Sequence, residues 1–284
     1  MDDPLIYVRA IHFAATITVA GVAFFIVFIA EPAFRQAEKE ARMPVMLRAC
    51  LAWLAWTGLA LTVVSGAAWL VLVAQSMSGQ PWAEVFSQDV LRTVLLDTGF
   101  GRDWLERFVL AGLLAAMFVP FLSAQRVRSV RINIVVVALA AGLIGTLAWA
   151  GHAAGGSGVE GVVHPAADFV HLVAAAAWVG TLLPFALLLG ATRHDAASVA
   201  VARTATVRFS SFGIASVGTL LATGVINTWY LAGSIPALTD TDYGHLLLIK
   251  IALFVAMIAI ALVAAYVPAR RAARVDPMEA LRHE

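Results

Sequence analysis

The sequence predicts an all-α membrane protein, a polytopic bundle of about seven transmembrane helices. Hydrophobic residues make up 61% of the 284-residue chain, charged residues make up 13%, and the mean hydropathy is +0.87. These values differ strongly from those of a water-soluble domain. Seven apolar runs are long enough to cross a bilayer, which takes roughly 20 helical residues. Because the runs are continuous and rich in Ala, Leu and Val, they favour helices over the alternating strands of a barrel.

The predicted spans follow one another along the whole chain. They run over Leu5–Ala30, Leu47–Ala74, Trp104–Leu122, Ile132–Ala150, Phe169–Ala191, Phe212–Gly233 and Leu246–Val267. The first span follows Met1-Asp2-Asp3-Pro4, which is acidic and lacks a basic region, and no small-residue cleavage site follows it. We therefore expect a retained helix and not a signal peptide. Cys50 is the single cysteine, so one chain cannot form an internal disulfide.

Basic residues are concentrated in alternate connections between the predicted spans and in the tail. These residues are Arg35, Lys39, Arg42, Arg48, Arg126, Arg128, Arg131, Arg193, Arg203, Arg208, Arg270, Arg271, Arg274 and Arg282. The connections on the opposite side contain only Arg92 and Arg102. By the positive-inside rule, the N-terminus lies outside and the C-terminus lies in the cytoplasm, which requires an odd number of spans.

The chain also contains an internal repeat. The matching pairs are Leu96-Asp97-Thr98-Gly99-Phe100-Gly101 with Thr239-Asp240-Thr241-Asp242-Tyr243-Gly244, Arg107 with Lys250, His12 and Gly21 with His171 and Gly180, and Ser65-Gly66 with Thr223-Gly224. We predict a first repeat unit of four helices over residues 1–150 and a second of three helices over 151–267. A basic cytoplasmic tail follows over 268–284. Equivalent helices are four spans apart, so the two units run parallel to each other.

Five of the seven histidines fall at the predicted outer end of the spans. They are His12, His152, His164, His171 and His245. An ionisable residue inside a membrane is costly and functional by default, and neutral imidazole is a good ligand for copper, zinc or haem iron. The repeat makes His12 and His171 equivalents at equal depth, and we predict that their helix faces meet in one site. The alternative is that each ring only hydrogen-bonds a carbonyl or a water.

Several polar residues near these histidines leave two interpretations open. The glycine-rich stretch 151–158 is followed by His164 and Asp168 and contains no basic residue, so it is either a loop that captures a cation or a plain turn. His245 is either an accessory ligand or an interfacial residue.

The acidic residues of the repeated motif have a predicted structural role. We expect Asp97 and Asp240 to cap the helices that follow them. Arg107 and Lys250 are expected to extend outward to the interface or to pair with these acids.

Several of these segments resemble the CopD family of copper-resistance membrane proteins, which includes copper-import members. The segments are His171-Leu172-Val173-Ala174-Ala175-Ala176-Ala177-Trp178-Val179-Gly180, Gly151-His152-Ala153, Asp97-Thr98-Gly99-Phe100-Gly101 with Arg107, and Thr241-Asp242-Tyr243-Gly244 with Lys250. The resemblance covers about residues 5–267. It implies a bacterial inner-membrane protein that moves copper from the periplasm toward the cytoplasm through outward-facing histidines, with a periplasmic copper chaperone as the source. Membrane lipid is the other expected partner, and no nucleic acid is expected.

Two features depart from that family. Its members commonly have eight spans, and here the expected eighth is missing, so lipid or another subunit of an oligomer would cover an open face. The tail from Pro268 to Glu284 is similar to the C-terminus of FtsX-like ABC-transporter permeases, which makes an ABC-permease-like subunit a minor alternative. The tail is otherwise a basic anchor attracted to anionic lipid.

The ligand types leave copper and haem as rival cofactors. The seven methionines form no outward-facing series of thioethers, so histidines would hold Cu(II), or Cu(I) with few imidazoles. His12 and His171 are also suitable axial ligands for a b-type haem in an electron-transfer protein. A haem requires the rings to face each other across a wide apolar gap, whereas copper requires them close, with a third donor. No hydrolytic triad or phosphate loop stands out, so we expect ion binding and not an enzyme.

Overall fold

The structure is a computed structural model that describes residues 3–37, 43–86, 88–123, 129–150, 160–192 and 196–272. Every regular element in these ranges is helical. The α-helices are α1 (Pro4–Phe24), α2 (Glu31–Ala37), α3 (Val45–Ser78), α4 (Trp82–Val85), α5 (Gln88–Asp97), α6 (Gly99–Ser123), α7 (Val130–Gly145), α8 (Glu160–Ala191), α9 (Ala196–Ala232), α10 (Ile235–Asp240) and α11 (Asp242–Ala272). A π-helical segment, Phe25–Ala30, joins α1 to α2, and a 3-10 segment, Thr146–Ala150, extends α7.

In the described part of the chain, seven helices are long and apolar enough to cross a membrane, which confirms the predicted number. Two of them begin at least two turns earlier than the hydropathy predicts: α8 begins at Glu160 and not at Phe169, and α9 begins at Ala196 and not at Phe212. The added turns contain charged residues that lower the mean hydropathy without interrupting the helix. Hydropathy therefore locates the apolar centre of a span better than its ends.

Residues 1–227 form one compact unit and residues 228–284 form another. In the first unit, α1 is the central helix and packs against α3, α7 and α8. Its second half and the π-helical segment are almost completely buried, including Val19, Val22, Phe25 and Ile29, each at 0% exposure. A helix that is apolar on all sides is suited to such a central position. The second unit contains α10 and α11.

The helices α1 and α8 cross at a pair of glycines. A Cβ atom on Gly21 would lie 2.2 Å from the carbonyl carbon of Gly180, and one on Gly180 would lie 2.5 Å from the carbonyl oxygen of Ile17. Neither position has room for a side chain, which is typical of close helix packing through small residues in membranes. Because Gly21 and Gly180 are equivalent in the predicted repeat, the two repeat units meet at related residues.

The repeated motif forms the same turn twice. The Thr98 hydroxyl accepts from the Gly101 amide at 2.9 Å and donates to the Val94 carbonyl at 2.6 Å. In the second repeat unit, the Thr241 hydroxyl accepts from the Gly244 amide at 2.9 Å and donates to the Ala237 carbonyl at 2.7 Å.

These hydrogen bonds correct the predicted caps. Threonine caps each helix, and the expectation that Asp97 and Asp240 do so is wrong. The hydroxyl at the next position already satisfies a free amide of the first turn. Asp240 instead accepts from the hydroxyl of Thr239 at 2.9 Å.

Candidate metal centre

The five predicted histidines occupy different environments. On α1, His12 is buried, with 2% of its surface exposed. On α8, His164 is buried and His171 is half-buried, whereas His245 is exposed near the start of α11. The residue His152 lies outside the described part of the chain. His12, His164 and His171 all lie in the compact unit of residues 1–227, and their surroundings define a candidate site.

A hydroxyl on α9 orients the ring of His171. Nδ1 of His171 lies 2.9 Å from Oγ1 of Thr223. The Thr223 hydroxyl donates its hydrogen to the carbonyl of Thr219 at 2.7 Å, so it accepts from Nδ1–H. In the neutral ring, Nε2 then carries the lone pair, the atom that binds a metal. Metal-binding histidines are held by such a bond to their second nitrogen.

The same arrangement recurs at His12. Nδ1 of His12 lies 3.0 Å from Oγ of Ser65 on α3, and that hydroxyl donates to the carbonyl of Leu61. His12 therefore also has its lone pair on Nε2. The sequence repeat predicts that Ser65 and Thr223 are equivalent, and the structure adds that each one fixes the tautomer of the histidine in its own unit.

The early start of α8 places three candidate ligands on one helix face. His164, Asp168 and His171 have i, i+4 and i+7 spacing, and they are called the α8 face below. Asp168 accepts a hydrogen bond from the amide of Asn227 on α9 at 3.2 Å. Helical rise separates the two histidines by about 10.5 Å along the axis, with the carboxylate between them. The predicted fifth span begins only at Phe169 and so leaves out His164 and Asp168; that boundary is wrong, because both residues lie within α8.

Aromatic side chains surround the ring of His12. Its ring centroid lies 5.6 Å from that of Trp69 and 5.2 Å from that of Trp104, both edge to face. Gly66 makes room for this contact, since a Cβ atom there would lie 2.6 Å from the Trp104 ring and 3.2 Å from Cε1 of His12. Sequence reasoning missed both tryptophans. The signal for Trp69 is its position four residues after Ser65, on the same helix face.

An arginine lies over each of these two indoles. The guanidinium carbon of Arg9 is 4.9 Å from the ring centroid of Trp69, and that of Arg107 is 4.7 Å from the ring centroid of Trp104. Arg107 was predicted to extend outward or to pair with an acid of the motif, but its side chain is 3% exposed and its Nη2 donates to the carbonyl of Thr146 at 2.8 Å. The tryptophan ring and this carbonyl hold the cation inside the helix bundle.

The two histidines thus have surroundings of opposite charge. Arg9 lies three residues before His12, as Asp168 lies three before His171, and Trp69 lies four after Ser65, as Asn227 lies four after Thr223. In the first repeat unit, Arg9 lies over the Trp69 indole. The equivalent position in the second repeat unit holds Asp168, which is bonded to the amide of Asn227. This difference favours a cation beside His171 and disfavours one beside His12.

The hydrogen bond of each ring lies within its own repeat unit, and α1 and α8 make their glycine contact two to three turns further along. In the described residues, no three His, Cys, Asp or Glu side chains are grouped closely enough to hold one metal ion. The structure therefore presents two repeat-related imidazoles with the same tautomer. A role for either one as a metal ligand stays a prediction.

Family models match most of the chain. Residues 1–162 match the model described as copper resistance protein D-like, N-terminal domain, and residues 203–283 match the model described as copper resistance protein D. The chain is also 32% identical over 267 residues to copper resistance protein D of Pseudomonas syringae pv. tomato, which covers 92% of this chain and 81% of that protein. The chain belongs to the copper resistance protein D family. The resemblance predicted from short motifs is confirmed.

Two further relatives of this copper resistance protein D family member are named as an inner membrane protein and as a copper transport protein. It is 32% identical over 266 residues to inner membrane protein YebZ of Escherichia coli strain K12, covering 92% of this chain and 83% of YebZ. It is 30% identical over 250 residues to copper transport protein CutJ of Bacillus subtilis strain 168, covering 88% of this chain and 44% of CutJ. No solved structure matches the chain significantly. The second family match reaches residue 283, so it includes nearly all of the tail compared above with FtsX-like permeases.

Proposed function

We propose that this protein binds copper at the outer end of its second repeat unit and translocates it across the bacterial cytoplasmic membrane. The family, the relatives named for copper resistance and copper transport, and the relative named as an inner membrane protein support this function. Copper is the cargo, and the proposed role in copper uptake and homeostasis involves no covalent catalysis. A periplasmic copper chaperone is the proposed source of the ion.

The orientation of the His171 ring is the main observation that supports copper binding. Its Nδ1–H is bonded to Thr223, so its Nε2 has the lone pair. Asp168 lies one turn earlier on the same face and supplies a negative charge. Imidazole nitrogen with carboxylate oxygen suits Cu(II), and Cu(I) is also held by few imidazoles.

The α8 face offers a path and not a single three-ligand site. The rise along the helix is about 6 Å from His164 to Asp168 and about 4.5 Å from Asp168 to His171. One ion cannot contact all three side chains, but neighbouring pairs can hold it in turn. Copper therefore moves from His164 and Asp168 to Asp168 and His171 as it enters the bundle.

The remaining predicted histidines have accessory roles in this proposal. His152 assists ion capture, and His245 is an accessory ligand near the start of α11, where its Nε2 donates to the carbonyl of Thr239 at 2.7 Å and leaves Nδ1 for a ligand. His12 presents Nε2 as His171 does, but Arg9 and Arg107 lie near it. Copper is expected to bind more weakly at His12 than at His171.

Loss of the hydroxyl that orients His171 is expected to weaken copper binding. Thr223→Val removes the acceptor for Nδ1–H, and loss of such an outer partner typically lowers metal affinity by about 10- to 100-fold. Thr219→Val is the matched control, since Thr219 lies one turn away on α9, is half-buried, and its hydroxyl donates to the Ala215 carbonyl. Competition with a chromophoric copper chelator measures both affinities. Equal affinities in the two variants would show that Thr223 does not orient a ligand.

The carboxylate of the α8 face is expected to be required for transport. Asp168→Asn keeps the shape of the side chain but removes its charge, so we expect copper entry into proteoliposomes to slow by about tenfold or more. A copper-sensitive dye trapped inside the vesicles reports entry. Asp97→Asn, which neutralises an exposed acid at the same predicted end, serves as the control. Wild-type rates for Asp168→Asn would remove the α8 face from the path.

A further inference from the structure

Arg107 is a buried cation without a complete set of partners. One guanidinium nitrogen, Nη2, donates to the Thr146 carbonyl at 2.8 Å, whereas Nε and Nη1 have no acceptor among the described residues. No carboxylate in the described part of the chain lies within 4.0 Å of it. An uncompensated charge with unused donors is costly in a low-dielectric interior. Such a group in a membrane helix indicates a missing partner.

The neighbouring indole has the same deficiency. Trp104 is 1% exposed, and its Nε1–H has no acceptor among the described residues. The guanidinium of Arg107 lies over its ring at 4.7 Å. Indole and guanidinium nitrogens only donate hydrogen bonds. An acceptor is therefore required on this side of α6, and a negatively charged acceptor would also neutralise Arg107.

The acids on the same helix attract the Arg107 charge only from beyond ion-pair distance. Asp103, one turn earlier, is half-buried, and Glu106 is exposed, but neither forms an ion pair with Arg107. The second arginine of this region, Arg9, lies over Trp69, which is 5.3 Å from Trp104 between ring centroids. Two cations thus flank the two indoles, while the equivalent place in the second repeat unit holds Asp168. The surroundings of Trp69 and Trp104 in the first repeat unit therefore favour an anion.

We infer that Arg107 and Trp104 form a binding site for a small monovalent anion, a halide or a carboxylate, in the first repeat unit. The anion accepts hydrogen bonds from Nε and Nη1 of Arg107, which are strengthened by the charge. Its position near the Trp104 indole makes that ring a reporter of occupancy. The inference does not depend on copper, so it is tested on copper-free protein.

Iodide quenching of tryptophan fluorescence tests the site. The detergent-solubilised full chain is titrated with potassium iodide at constant ionic strength, with sulfate as the balancing anion. We expect a saturable component on top of linear collisional quenching. Trp104→Phe should remove that component because the reporter is lost, and Arg107→Gln should remove it because the anion is no longer held. Competition by chloride or by acetate then shows whether the site prefers halides or carboxylates.

Arg102→Gln is the matched control, since Arg102 is an exposed arginine on the same helix. It should keep the saturable component. Purely linear quenching in the wild-type protein, identical to that of Trp104→Phe, would overturn the inference, as would a saturable component that persists in Arg107→Gln. If Arg107→Gln does not fold, the comparison of wild type with Trp104→Phe still decides, together with Arg107→Lys, which keeps the charge.

Discussion

Replacement of His171 with alanine is expected to lower copper affinity by more than about 100-fold, because loss of an outer partner of a ligand alone costs about 10- to 100-fold. The substitution removes the Nε2 lone pair that Thr223 orients, and it leaves Asp168 with only His164 as a neighbouring nitrogen ligand on the α8 face. Chelator competition on the purified protein measures the change. Size-exclusion chromatography checks that the variant remains folded.

His12→Ala provides the matched comparison, because His12 is the repeat equivalent with the same tautomer. It should lower the affinity much less, since Arg9 and Arg107 disfavour a cation there. A larger loss for His12→Ala than for His171→Ala would reverse the assignment of the copper site between the repeat units. Equal losses would indicate one shared site, as the sequence alone predicts.

Gly21→Ala is expected to destabilise the protein strongly. Its Cβ atom would lie 2.2 Å from the backbone of Gly180, and a backbone atom cannot move aside as a flexible side chain does. The helices α1 and α8 would have to separate around the most buried part of the core, at a cost of about 1–3 kcal/mol or more. A lower midpoint of thermal unfolding in detergent, followed by circular dichroism, would report this cost.

Gly190→Ala is the control for this substitution. Gly190 lies on α8, is exposed, and a Cβ atom there meets nothing within 4 Å. Alanine is favoured over glycine in a helix by about 1 kcal/mol, so the control should be neutral or slightly stabilising. If Gly21→Ala unfolds at the same temperature as Gly190→Ala, the two helices do not cross at these glycines.

The sequence predicts the fold well because a membrane constrains it strongly. Each span needs a long apolar run, and these runs correctly give seven spans in the described part of the chain. The ends of α8 and α9 were misplaced, since Asp168 and Arg208 lower the hydropathy although the helix continues through them. Helical hydrogen bonds do not depend on side-chain polarity, so hydropathy alone cannot locate such ends.

The candidate site was only partly predictable. The predicted repeat pairs Ser65 with Thr223, but only the structure shows that each hydroxyl orients a histidine. The burial of Arg107 was missed because a cation near a helix end normally reaches the interface. Its position depends on the Trp104 ring and the Thr146 carbonyl, and the latter contact spans 39 residues of sequence. Contacts of that range leave no periodic signal.

Copper content measured together with the visible absorption spectrum, on the purified wild-type protein and on His171→Ala, tests whether His171 binds copper. We expect copper in the wild type, no Soret band, and loss of the copper in His171→Ala. A Soret band that disappears in His171→Ala would contradict this expectation and establish a haem-binding electron-transfer protein. Copper retained by His171→Ala at the wild-type level would contradict the proposed site.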